Sequence, residues 1–138
     1  MESPRKVSLE DLPTRKLPLG SIEPRGWYRD ILRRQADNFT GGLGEHWAPA
    51  SRFSAWRGGT GDDGDEGPRY LDGLLPLAHL LHDESLIAEA AEWVDRALDF
   101  QRADGDFGPE ANPDPWPRMV MLKALMQHAE ATNDPRVI

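Results

Sequence analysis

Aspartates set among tryptophans and arginines are the residues of this chain best suited to chemistry. Asp72, Asp104 and Asp106 lie in or beside two stretches rich in glycine and proline. These stretches and their borders also carry Trp56, Arg69, Tyr70, Phe107, Trp116 and Arg118. Two carboxylates can divide acid and base work, as glycosidic bond cleavage usually requires. An aspartate in Asp104-Gly-Asp106 has a second reading, a tight turn after a helix in which the carboxylate bonds its own backbone.

Other chemistries find less support. His79 and His82 stand three apart, whereas a helical zinc pair uses a spacing of four with a glutamate between; a structural role suits them better. His46 and His128 are isolated. The run Gly61-Asp-Asp-Gly-Asp-Glu66 lacks the ligand spacing and trailing glutamate of a calcium loop and reads as an exposed acidic turn. The sequence holds no cysteine, which excludes disulfides, thiolate zinc sites and a cysteine nucleophile within this chain. There is no G-x-S-x-G, no phosphate loop and no G-x-G-x-x-G; Gly41-Gly-Leu-Gly44 follows a helix, where a phosphate loop would follow a strand. No metal ligands and no cofactor are expected in this chain.

The whole chain is 138 residues, with 16 basic and 24 acidic side chains and a net charge of −8. An acidic balance argues against nucleic acid, whose binders present a basic patch. No apolar run reaches the roughly 18 residues of a membrane span. Met1 to Lys16 carries no signal-type apolar core, so the expectation is a soluble, cytoplasmic protein.

The elements that must position the aspartates are helical. Residues 1–23 read as an irregular lead-in, with Lys16–Ile22 a candidate edge strand, and residues 24–138 as one helical region. Pro24 precedes a first helix over Gly26–Asn38. A long loop, about 41–67, holds eight of the thirteen glycines yet also Trp47, Phe53 and Trp56, anchors that a disordered linker would lack. Residues 68–82 form an almost wholly apolar helix, with Pro76 marking either a kink or a first turn. Asp83 then caps a one-sided helix with Ile87, Ala90, Ala91, Val94, Ala97, Leu98 and Gln101 on one face. The connection at His82–Asp83 is so short that the two helices must form an antiparallel hairpin. A second loop, about 102–116, leads to a last helix over Pro117–Thr132, again apolar over most of its girth.

Buried, amphipathic, buried is the pattern of inner and outer helix layers in an α/α toroid. Because hairpin helices alternate in direction, both long loops must lie on the rim that holds the inner helices' N-termini. That rim gathers Trp56, Arg69, Asp72, Asp104, Asp106, Phe107, Trp116 and Arg118. Exposed tryptophans with carboxylates suit a sugar, the ring stacking on its apolar face and the carboxylates binding hydroxyls. Two apolar helices also need more neighbours than this chain supplies. They predict the N-terminal part of a longer helical protein, or burial in an oligomer.

Several runs carry a family resemblance: Leu17-Pro-Leu-Gly-Ser-Ile-Glu-Pro-Arg-Gly-Trp27, Gly67-Pro-Arg-Tyr-Leu-Asp-Gly-Leu-Leu-Pro-Leu-Ala-His-Leu-Leu81, Gln101-Arg-Ala-Asp-Gly-Asp-Phe-Gly-Pro109, Trp116-Pro-Arg-Met-Val-Met-Leu-Lys-Ala-Leu125 and Ala131-Thr-Asn-Asp-Pro-Arg-Val-Ile138. Together they resemble the N-terminal part of the β-L-arabinofuranosidase-like glycoside hydrolases, family 127 and relatives. The resemblance implies an all-α region, part of an (α/α)6 barrel, followed by β-sandwich domains. It implies catalysis by a cysteine nucleophile in a zinc–cysteine cluster with a glutamate partner, in motifs far downstream of the matched region. Zinc would belong to the full-length protein, and no catalytic residue is carried over to this chain. What the resemblance does carry over is a sugar pocket rim of Trp56, Arg69, Tyr70, Asp72, Asp106, Trp116 and Arg118. The expected function is therefore an N-terminal portion of a hydrolase of β-L-arabinofuranosyl or related plant-type glycosides, inactive in isolation. The other reading is a non-catalytic helical module that binds carbohydrate or a partner protein.

Overall fold

The computed structural model describes residues 14, 16–61 and 63–137. Everything regular among them is helical. The helices are α1 (Gly26–Arg34), α2 (Leu43–His46), α3 (Glu66–Leu81), α4 (Glu84–Asp99) and α5 (Pro115–Thr132). No strand occurs among the described residues, so the candidate edge strand at Lys16–Ile22 is corrected. Prolines and glycine leave that segment without a ladder, and it bends at a turn in which Ser21 N–H donates to the Pro18 carbonyl at 3.1 Å.

The α3–α4 hairpin is set by local chemistry. His82 takes a left-handed conformation, φ 50° and ψ 43°, and ends α3. Asp83 then accepts the Ser85 and Leu86 amides at 3.1 and 3.2 Å. This satisfies donors that a helix start leaves orphaned. Arg33 of α1 closes the corner with an ion pair to Asp83 at 2.7 Å. Pro76 lies well inside α3, so it does not mark a first turn. The buried face of α4 is Leu86, Ala90, Trp93, Val94 and Ala97. Its anchor is Trp93, which the spacing pattern does not include.

Packing radiates from α3, which meets α5 on one side and α4 on the other, while α4 and α5 barely touch. The core joins Tyr70, Leu71, Leu74, Leu75, Ala78 and Leu81 of α3 to Trp93 and Val94 of α4 and to Met121, Ala124 and Leu125 of α5. Burying each large apolar side chain contributes roughly 1.5–3 kcal/mol. The remaining faces of α1 and α5 stay open. Trp27 is 74% exposed, and no residue of α1 is buried. Met119, Leu122 and Met126 of α5 are about half exposed.

A π-helical turn, Gln35–Phe39, carries α1 to the end of the expected first helix. The first long loop is more structured than expected: it holds α2 and two 3-10 turns, Ala48–Ala50 and Ala55–Arg57. Trp56 sits at the centre of this region with no exposed surface. Its indole N–H donates to the Gly64 carbonyl at 2.8 Å, and the ring meets Phe107 of the second loop edge-on at 6.3 Å. Gly108 lies so close that a Cβ there would come within 2.5 Å of the Trp56 ring, at a φ of +89°.

Two outcomes follow. Gly108→Ala should cost about 2–4 kcal/mol in urea unfolding, from overpacking and left-handed strain together; Gly105→Ala, with φ +87° but nothing within 4 Å, should cost less. The Asp83 carboxyl is held at about 2, below its ordinary 3.8, chiefly by the Ser85 hydroxyl and then by Arg33. A depressed carboxyl stabilises the fold above its unfolded value, and that contribution is lost as pH falls from about 4 towards 2. Asp83→Asn should flatten this part of the pH–stability curve, and an unchanged acid limb would contradict the assignment.

Candidate functional site

The rim is built where α3 and α5 begin and α4 ends. Its two loops are joined: Asn112 Nδ2 donates to the Asp63 carbonyl at 3.0 Å. Asp114 caps α5 by accepting the Trp116 amide at 2.9 Å, and Pro115 takes the first helical position. The last helix thus begins earlier than Pro117, and Trp116 belongs to its first turn. The side chain is half exposed. Its indole N–H donates to Asp65 Oδ2 at 2.7 Å, and Arg69 Nε donates to the same oxygen at 2.6 Å. The Arg69 guanidinium lies 5.8 Å from the Trp116 ring centroid, a cation–π distance. The indole bond first and Arg69 second hold the Asp65 carboxyl below its ordinary value.

Asp106 is the hub of the second loop. It pairs with Arg102, accepts Arg118 Nε at 2.8 Å and accepts the Phe107 amide at 2.8 Å. Arg102 chiefly, then Arg118, keeps its carboxyl low. Asp104 accepts the Asp106 amide at 3.0 Å, the backbone-bonding turn that the Asp-Gly-Asp run allowed. Arg118 is largely enclosed, its side chain 12% exposed. It donates to the carbonyls of Asn112, Asp114 and Pro109 at 2.7, 2.9 and 3.3 Å. These contacts, with the bond to Asp106, engage four of its five N–H donors and make it the latch of its loop.

The seven predicted residues therefore separate. Trp116 and Arg69 form one exposed patch. Asp72, on the open side of α3, binds Lys123 Nζ at 2.7 Å and Gln127 Nε2 at 2.8 Å across to α5. Asp106 and Arg118 tie the second loop together. Trp56 and Tyr70 offer no ring face to a ligand in this structure, which corrects their placement on the rim surface. Trp56 is the plug between the loops. Tyr70 is 5% exposed, and its hydroxyl lies 2.9 Å from Glu89 Oε1 and 3.0 Å from the Thr40 carbonyl. Burial raises both the Tyr70 hydroxyl and the Glu89 carboxyl above their ordinary values.

Three contributors were missed. Asp65 was legible only as part of an acidic turn, although its spacing of four to Arg69 is the helical ion-pair spacing. Lys123 and Gln127 gave no signal, since their partner Asp72 lies on another helix. The Gln127 Oε1 atom is buried without a hydrogen-bond partner. Among the described residues no three His, Asp or Glu side chains form a group able to hold a metal ion. No helix of the described residues is long and apolar enough to cross a membrane. No family model, curated protein or solved structure matches the chain.

Arg118→Ala should destabilise the fold by about 1 kcal/mol or more, as expected when a charged donor to several partly buried and exposed acceptors is removed, with loop amides such as Gly105 and Phe107 losing exchange protection. Arg118→Lys should not restore them, because one ammonium cannot span four acceptors. Full protection in either variant would refute the latch.

Proposed function

We propose that this chain supplies part of the sugar-binding rim of a glycoside hydrolase of the β-L-arabinofuranosidase type. In this reading the catalytic groups lie outside the chain, and the isolated chain binds without turnover. The observation that carries it is the Trp116 ring, half exposed at the first turn of α5 and fixed by Asp65 and Arg69. One face of the ring is approached by the Arg69 guanidinium; the exposed part of the ring, with the Asp65 carboxylate at its indole N–H, is a stacking platform.

Two further features support the reading. Gly73 follows Asp72 in the middle of α3, exposed, and a Cβ there would meet nothing within 4 Å. A mid-helix glycine costs about 1 kcal/mol relative to alanine, and neither packing nor backbone geometry requires one here. It leaves the α3 backbone bare beside Asp72, where a ligand can approach closely. The rim aspartates Asp65 and Asp106 are also both held below their ordinary value by their partners, which suits them as hydrogen-bond acceptors rather than as proton donors. That agrees with binding here and proton transfer elsewhere.

The open faces of α1 and α5 favour further helices, from the remainder of a barrel or from an oligomer mate, as their cover. They equally favour the second reading, a non-catalytic module that takes carbohydrate on the rim and a partner protein on these faces.

Calorimetric titration of the isolated chain with an arabino-oligosaccharide should show binding, with no release from an aryl β-L-arabinofuranoside. Trp116→Ala and Asp72→Ala should each weaken that binding about tenfold, the loss of roughly 1.4 kcal/mol of contact. Gly73→Ala should stabilise the fold by up to about 1 kcal/mol while weakening the sugar. Turnover by the isolated chain would overturn the division of labour, and unchanged binding in both the Trp116 and Asp72 variants would overturn the rim.

A further inference from the structure

Beside the residues discussed above, the rim contains an open cleft of about 590 Å³. One wall is the Gly58–Gly61 turn, the second is the C-terminal end of α4 with Phe100 and Gln101, and the third is the Gly108–Ala111 stretch. The walls are fixed before any ligand arrives. A Cβ on Gly59 would lie 2.3 Å from the Phe53 carbonyl oxygen, so only glycine fits that turn. The third wall is pinned by the contact of Gly108 with Trp56 and by the Asn112–Asp63 hydrogen bond between the loops.

The chemistry of the cleft is mixed. Ala55, Phe100 and Pro109 give it apolar surface. Thr60, Asp63, Gln101 and Glu110 also line it, and their side chains form no hydrogen bond or ion pair with other described residues. Asp99 has only a long contact to Arg96, 3.8 Å. Among the described residues the one cation in the lining, Arg102, is committed to Asp106 and to the Gly108 carbonyl. Among the described residues, Asp63 and Glu110 therefore stand without an ion-pair partner, Asp99 has only its long contact to Arg96, and the negative end of the α4 dipole adds to the three carboxylates. An anion is repelled from such a site, while hydroxyl and ammonium donors find several acceptors. The apolar patches suit the C–H face of a pyranose or furanose ring.

We propose that this cleft is a second carbohydrate subsite, one that takes a neutral or amino sugar unit and rejects uronates. The proposal rests on the reading of the rim as sugar-binding and adds the class of sugar. It places the extended glycan between Trp116 and the Gly58–Gly61 turn, so that specificity against acidic sugars resides in Asp63, Asp99 and Glu110.

The test is amide chemical-shift mapping on the full chain with L-arabinose, glucosamine and glucuronate as separate probes. Arabinose and glucosamine should move Gly59, Thr60, Gly61, Gln101 and Gly108, and glucuronate should not. Gln101→Ala with Glu110→Ala should weaken the cleft response about tenfold, from two lost hydrogen bonds, and leave the Trp116 response unchanged. Neutralising substitutions Asp99→Asn and Glu110→Gln should admit glucuronate. Movement confined to Trp116, Arg69 and Gly73 would overturn the cleft and leave the sugar-binding rim standing. Equal binding of glucuronate by the unaltered chain would also overturn the cleft. Silence with all three sugars would overturn both.

Discussion

The rim depends on one buried tryptophan. Trp56 belongs to the first long loop, bonds that loop's own backbone at Gly64, and is covered by Phe107 and Gly108 of the second. Two loops with many glycines carry a large conformational entropy when free. A single large side chain with no exposed surface gives them a shared core. The fit is close enough that a methyl group at Gly108 has no room. Everything at the surface inherits this constraint: the cleft walls, the Asn112–Asp63 bridge, and the approach of Asp65 to Trp116.

Polar contacts then set what the rim offers. Arg102 and Arg118 hold Asp106, and Arg69 and the Trp116 indole hold Asp65, so most of the charges drawn to this end of the molecule are engaged with one another. Such pairs at a wet surface contribute little net stability. Their consequence is orientation. They fix Trp116 with part of its ring outwards, and among the described residues of the cleft they leave Asp63 and Glu110 without an ion-pair partner and Asp99 with only a long contact to Arg96. The electrostatic character of the rim is therefore that of the carboxylates left over after the arginines have been used.

Much of the fold was legible because it is encoded locally. Asp83 caps α4 through amides two and three residues ahead, and the apolar face of α4 repeats with the helical period. The all-helical class, the α3–α4 hairpin and the positions of α3 and α5 to within a few residues follow from such signals. What could not be read depends on distant partners. Trp56 looks like a surface aromatic until Gly64 and Gly108 are seen around it. Tyr70 looks like a rim residue until the turn of the α3 helix places it against Trp93 and Glu89. Trp116 moves from loop to helix because Asp114, ahead of two prolines that both suit a first turn, supplies the cap. Asp72 was found, but its partners Lys123 and Gln127 were not, since a pairing between two helices leaves no mark in either segment. The (α/α)6 arrangement and the sugar specificity come from the resemblance and the open helix faces, and they remain the proposed part of the account.

The most direct measurement of the central claim uses the tryptophan at the rim. Titration of the chain with an arabino-oligosaccharide, followed by tryptophan emission in a Trp27→Phe/Trp47→Phe background, reports on Trp116 while Trp56 and Trp93 stay shielded by the core. A saturable change in emission that disappears in Trp116→Phe, with the fold intact by circular dichroism, is the predicted result. A change that survives the substitution, or no change at any sugar concentration, would contradict the claim that this rim binds carbohydrate.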